Sequence, residues 1–224
     1  MAERIAAVNE IAREKRHVTP RLSPQRYLGL TTRSSFPRSF PGAGRTRSLE
    51  GFLFPALYEF TPRTTTRELV DKQLEAFRES WATVDLRYAR SKNLTAYDVL
   101  IIASLIEEEV AAPAERRLVS AVIYNRLRRR MRLEIDATIR YALGVPPTQA
   151  LTLADLRHRT PYNTRIHSRL PPTPITNPGL AAITAAAHPA RVKYLFFVRN
   201  RDCRTHFFTA SFAVFRARLQ KPRC

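Results

Sequence analysis

Apolar side chains recur at helical spacing along most of the chain. Leu69, Val70, Leu74 and Phe77 share one stripe behind Thr65 or Thr66, either of which can cap a helix running to about Trp81. Trp81 reads as core. The sequence Thr95-Ala96-Tyr97-Asp98 has the form of a capping box, and Val99 to Ile106 is then apolar around most of the helix circumference, the pattern of a buried helix. Glu107, Glu108 and Glu109 follow, and Pro113 ends the element or forces a turn. A second helix over 114–130 carries Leu118, Val119, Val122, Ile123 and Leu127 on one stripe.

Shorter elements flank this pair. A helix from Glu3 to Lys15 precedes a stretch rich in Pro, Ser and Arg from Thr31 to Ser48. With few apolar anchors, residues 1–48 read as a loosely structured lead-in, and 49–224 as the main domain. Leu49 to Phe60 suits an extended, partly buried segment. Thr152 with Asp155 caps a short helix, and Asn177-Pro178 opens one that runs through Ala187. Tyr194–Val198 and Thr205–Phe208 form a hairpin across the turn 199–204, and Thr209 or Ser211 starts a terminal helix bearing Phe212, Phe215 and Leu219. The predicted class is α+β, helix-dominated, with a small strand component near the C-terminus.

Charge enters next. Lys and Arg total 38 against 19 Asp and Glu, a formal charge of +19, and only Lys15, Lys72, Lys92, Lys193 and Lys221 are lysines. Such a balance admits a polyanionic partner, yet the arginines do not gather into one aromatic-interleaved stripe, so nucleic-acid binding is the weaker reading. Cys203 and Cys224 are too few for a disulfide framework or a thiolate zinc site. His17, His158, His167, His188 and His206 form no His-x-x-x-His pair, so neither a metal site nor a cofactor is expected. Six glycines, without a phosphate loop or a Gly-x-Ser-x-Gly turn, argue against nucleotide cradles and serine hydrolases. The longest apolar run falls far short of the roughly 20 residues that span a bilayer, and the N-terminus lacks the greasy stretch of a signal peptide.

The chemistry points to carboxyls. Residues 107 and 109 project about 200° apart on a helix, so one at most can face a given cleft. Glu107 follows the stripe of Leu100, Ala103 and Ser104, whose small members leave space above them. A carboxyl against an apolar wall favours its neutral form, as a general acid at neutral pH requires. Two further constellations are Leu133 to Thr138 and Pro161-Tyr162-Asn163-Thr164, the latter close to the proline-stiffened loop Leu170 to Gly179. Tyr, Asn and Thr side chains on such loops suit a polyhydroxylated ligand.

Leu49–Phe60, Ala103–Glu109, Tyr124–Leu127, Leu133–Thr138, Thr160–Thr164, Leu170–Gly179 and His188–Val198 occur in the order seen in the YceG-like endolytic murein transglycosylases, which this chain resembles from about Leu49 onward. The resemblance implies a bacterial enzyme with a lysozyme-like active-site helix. It would cut peptidoglycan strands internally at the MurNAc–GlcNAc bond, leave a 1,6-anhydro end and need no cofactor. It places the catalytic glutamate on Glu107, with Glu109 as the alternative, and assigns substrate contacts to Tyr162, Asn163, Thr164, Asp136, Thr138 and Asn125. Glu108 stands where a lysine is frequent, and Glu134 where Gln or Gly is. The resemblance further implies a membrane-associated protein on the extracytoplasmic face of the cell envelope, with peptidoglycan synthases as partners. The chain as it stands is expected to carry no signal or anchor of its own. A wall-binding protein without activity is the alternative from another class.

Overall fold

The computed structural model describes residues 1–36, 40–44 and 46–221; Cys224 lies outside them. The chain divides into two compact units, Met1–Thr83 and Val84–Cys224. The boundary expected at 48/49 therefore falls inside the first unit.

That unit holds three helices, α1 (Ala2–Arg16), α2 (Pro24–Thr32) and α3 (Thr66–Ala82). Its first 48 residues are better tied down than their composition suggests. Asn9 Nδ2 donates to the Leu22 carbonyl at 2.7 Å, and the Tyr27 hydroxyl donates to Gln73 Oε1 on α3 at 2.8 Å, both buried. Leu49 N–H donates to the Thr31 carbonyl at 2.7 Å, closing the chain back onto α2. Phe52 is fully buried, edge-on to Phe77 at 5.2 Å, and Trp81 stacks on Phe77 at 5.5 Å. These rings supply the anchors that the polar stretch before them lacks.

The second unit is built around α5 (Ala96–Glu109), after the single turn α4 (Arg87–Arg90). Thr95 and Asp98 close the capping box from both sides, and every residue from Val99 to Ile106 is buried. Burying each such aliphatic side chain contributes about 1.5–3 kcal/mol before entropy is counted. A 3₁₀ turn at Pro113–Glu115 leads into α6 (Arg116–Arg128), and α7 (Asp136–Leu143), α8 (Leu153–Arg157) and α9 (Leu180–Ala187) follow. Gly144 caps α7 in the left-handed region at φ 67°, where a side chain would be strained.

Helix α9 packs along α5 through Ala182, Ile183, Ala185 and Ala186, all buried. Small side chains let the two backbones approach closely. An Ala186→Leu change would overpack the contact at a cost of about 1–3 kcal/mol. Its first residue is Leu180 with Gly179 as N-cap, so the helix begins later than Asn177-Pro178 suggests, because Gly179 is still extended at ψ 168°. Strands β1 (Phe196–Arg199) and β2 (His206–Thr209) pair antiparallel, Phe196 opposite Thr209 and Arg199 opposite His206. The terminal helix α10 (Phe212–Leu219) lies against the hairpin, with Phe196 5.1 Å from Phe215 and 5.5 Å from Phe212. The α+β class is therefore as the periodicity predicts.

Candidate active site

The two alternating glutamates at the end of α5 meet different surroundings. Glu107 is exposed, and its Oε2 accepts the Gly179 backbone N–H at 3.2 Å. The space above Ala103 and Ser104, which the sequence leaves open, is filled: Ser104 Oγ accepts the Ile175 N–H at 3.1 Å and donates to the Ile101 carbonyl at 2.7 Å. The 175–179 loop therefore occupies the wall that was expected to shelter Glu107. Its carboxyl stands in water beside the start of α9, where a carboxylate suits the unpaired N–H groups of a helix terminus.

Glu109 keeps part of its surface in contact with water, but protein atoms crowd its carboxyl. That loss of hydration raises its pKa above the usual carboxylate range. His206 and Arg199 act in the opposite sense, while Asp136 and Glu108 add to the rise. Arg199 and His206 face each other across the hairpin, and Asp136 opens α7. Glu109 is thus the carboxyl on which the charges of α7 and the hairpin act.

His206 is fixed by a partner that sequence patterns do not announce. Its backbone N–H donates to Glu115 Oε1 at 2.9 Å, and its Nδ1 lies 2.7 Å from Glu115 Oε2, with 2% and 12% of the two side chains exposed. Only the run Pro113-Ala114-Glu115, a carboxyl in the turn that starts α6, hints at it. Arg126 is a second hidden clamp. Its buried guanidinium donates to the carbonyls of Leu195 at 2.6 Å, Arg132 at 3.0 Å and Leu133 at 2.8 Å, and to Glu134 Oε2 at 3.2 Å. Glu134 itself is left-handed at φ 55°, a strained conformation for glutamate, held by that bond and by its N–H to the Thr164 carbonyl.

The residues expected to touch substrate divide into two groups. Asp136 and Tyr162 retain exposed surface: Asp136 Oδ1 accepts Arg165 Nε at 2.6 Å with 45% of its side chain in water, and the half-buried Tyr162 shares a 2.7 Å hydrogen bond with Thr173 Oγ1. The other four make hydrogen bonds within the protein. Asn163 is fully buried, its Nδ2 donating to the carbonyls of Leu156 at 3.1 Å and His158 at 2.9 Å and its Oδ1 accepting Arg165 N–H at 2.9 Å. Buried Thr164 accepts the Ile135 N–H at 3.0 Å, and buried Thr138 donates to the Ile135 carbonyl at 2.7 Å. Asn125 Nδ2 donates to the carbonyls of Val192 and Tyr194, each at 2.9 Å, which places it with the lead-in to β1. Amide and hydroxyl groups used in this way have little left to offer a ligand. Among the described residues, no cluster of three or more His, Cys, Asp or Glu is arranged to hold a metal ion, and no helix is long and apolar enough to cross a membrane.

Comparison with known proteins agrees with this architecture. The profile of the YceG-like family matches residues 1–221. A protein of Bacillus subtilis named endolytic murein transglycosylase is 36% identical over 154 residues, covering 69% of this chain and 42% of its own length. One of the same name from Streptococcus pneumoniae is 37% identical over 165 residues, covering 70% of this chain and 29% of its own. The chain thus spans less than half the length of these relatives. The crystal structure of a YceG-like protein from Listeria monocytogenes superposes with a TM-score of 0.76 at 26% identity, over 96% of this chain and 71% of that one.

Proposed function

We propose that this chain, which belongs to the YceG-like family over residues 1–221, is an endolytic peptidoglycan transglycosylase with Glu109 as its acid and base. The observation that carries the reading is the Glu109 carboxyl at the end of α5, crowded by protein atoms and within electrostatic range of Asp136 on α7 and of Arg199 and His206 on the hairpin, with its pKa raised by the loss of hydration. The activity named for the relatives supports the reaction class. Glu107, which the family pattern suggests first, lacks that shelter.

A single carboxyl suffices because the nucleophile is part of the substrate. Ordinary glycosidases need a second carboxyl to activate water or to attack the sugar. Here protonated Glu109 donates to the glycosidic oxygen between MurNAc and GlcNAc, and the C1–O bond breaks with the proton on the departing sugar. The MurNAc C6 hydroxyl then closes on C1, its proton passes to the Glu109 carboxylate, and a 1,6-anhydro ring is formed with the acid regenerated. No water enters the balance. Asp136 and the Tyr162 hydroxyl are the polar groups available to the glycan, and Glu115 holds His206 beside the acid as a positioning residue. Acting on murein, the protein would work in the cell envelope, with peptidoglycan synthases as neighbours.

The test is product analysis. Purified glycan strands incubated with the full chain should yield internal fragments ending in anhydro-MurNAc, detected by mass. Fragments with reducing ends, one water heavier, would make the protein a hydrolase and overturn the mechanism. Binding to strands without any cleavage would make it a wall-binding module.

A further inference from the structure

In the 157–169 segment Arg165 is paired with Asp136. Elsewhere on it an open, shallow groove of about 640 Å³ is lined by Arg157, Arg159, Thr160, Ile166, His167 and Arg169. The three arginines are exposed, and among the described residues none has a carboxylate partner. Asp155, the acid closest in sequence, has its carboxylate held by the Thr152 N–H at 2.8 Å and the Thr152 hydroxyl at 2.7 Å in the α8 cap.

The groove is built. Buried Asn163 ties both walls together: its side chain holds the carbonyls of Leu156 and His158, its N–H donates to the Thr160 carbonyl at 3.0 Å, and its own carbonyl accepts the N–H groups of Ile166 and His167 at 3.1 Å. One residue thus fixes the backbone that carries the arginines around the groove. Like charges gathered without counter-charges repel one another, and an anion seated between them relieves that repulsion. Guanidinium groups match carboxylates in planar, two-pronged geometry. Neutral sugar rings have no need of three cations. A volume in the range of small-ligand clefts accommodates a short acidic peptide.

We propose that Arg157, Arg159 and Arg169 form a subsite for the carboxylates of the peptide stem carried on MurNAc. The inference rests on the transglycosylase reading: the loop that carries the arginines is joined to Asp136 through Arg165, and Asp136 acts electrostatically on Glu109. A stem is attached to the strand being cut, so its carboxylates arrive with the substrate; a free phosphate-bearing wall polymer would have to bind separately.

The experiment compares the full chain with the double variant Arg159→Ser/Arg169→Ser on two substrates, strands with intact stems and strands stripped by an amidase. The ratio of turnover with stems to turnover without should exceed one for the parent, decline as salt is raised, and fall about three- to tenfold in the variant, as two exposed ion pairs allow. An unchanged ratio, or an equal loss on both substrates, overturns the subsite. Titration with a soluble muramyl tripeptide separates this failure from that of the parent reading. If neither strand is cut, the catalytic reading fails, while tripeptide binding that the variant loses still upholds the subsite and absence of binding sinks it. Preference for poly(glycerol phosphate) over the tripeptide would also overturn the proposal.

Discussion

Glu107 and Glu109 are two residues apart on one helix and have the same side chain, yet they meet different surroundings. Glu107 faces the start of α9 and accepts a backbone N–H in water. Glu109 loses hydration and feels the charges of the hairpin and α7, and its pKa rises. The rotation of about 200° between them is enough to exchange solvent for protein. What the contrast teaches is that the surroundings of each carboxyl are set by the rest of the unit, and the glutamate run itself does not choose them.

The sharpest way to break the comparison is to neutralise each carboxyl in turn. Glu109→Gln should lower the turnover of glycan strands roughly a hundred- to ten-thousandfold, the usual loss for a general acid, while Glu107→Gln should keep most of it. The reverse order, measured as anhydro-MurNAc ends released, would hand the role to Glu107. Next in size is the clamp behind the acid. Glu115→Ala leaves two buried donors of His206 unmet and should cost about 2–4 kcal/mol in denaturant unfolding, with Glu115→Gln restoring part of it. A parent-like midpoint for Glu115→Ala would show that the pair holds nothing.

A smaller effect concerns stability against pH. The folded chain favours neutral Glu109 more than the unfolded chain does, because its pKa lies above the ordinary 4.5. Stability from this group is therefore full below pH 4.5 and lost as pH rises through the raised value. Glu109→Gln should melt a few degrees higher than the parent near about pH 8 and no higher near about pH 4. Equal melting temperatures at both would mean that the carboxyl is hydrated. Smallest is Arg165→Ala, which releases the part-exposed Asp136 and should change unfolding by less than about 1 kcal/mol while raising KM for strands; a shift above that bound would mark the pair as structural.

Much of the fold was legible in local sequence. The capping box at Thr95 and the cap at Thr152 form as expected, and of the alternatives Thr65 and Thr66 it is Thr65 that caps α3, since each bond spans three residues. The hairpin lies within two residues of its expected bounds. The candidate site was readable only as a neighbourhood. Leu133–Thr138 and Thr160–Thr164 do come together, but through Thr164 and Ile135, whose contact crosses 29 positions. Nothing local says that Asn163 folds its amide inward, or that Ile175 fills the space above Ser104. In residues 1–48 the polar composition hides Tyr27, whose partner Gln73 lies 46 positions away.

The clamps also impose an order of assembly. Glu115 waits for His206 across 91 positions, and Arg126 for Leu195 across 69. A chain emerging from the ribosome can wind α5 early, because its own hydrogen bonds and its capping box are local, but Arg199 and His206, whose charges act on Glu109, arrive only once the hairpin has been synthesised. A ribosome-stalled product ending before β1 should therefore be helical and catalytically silent, with its acid titrating like any other glutamate.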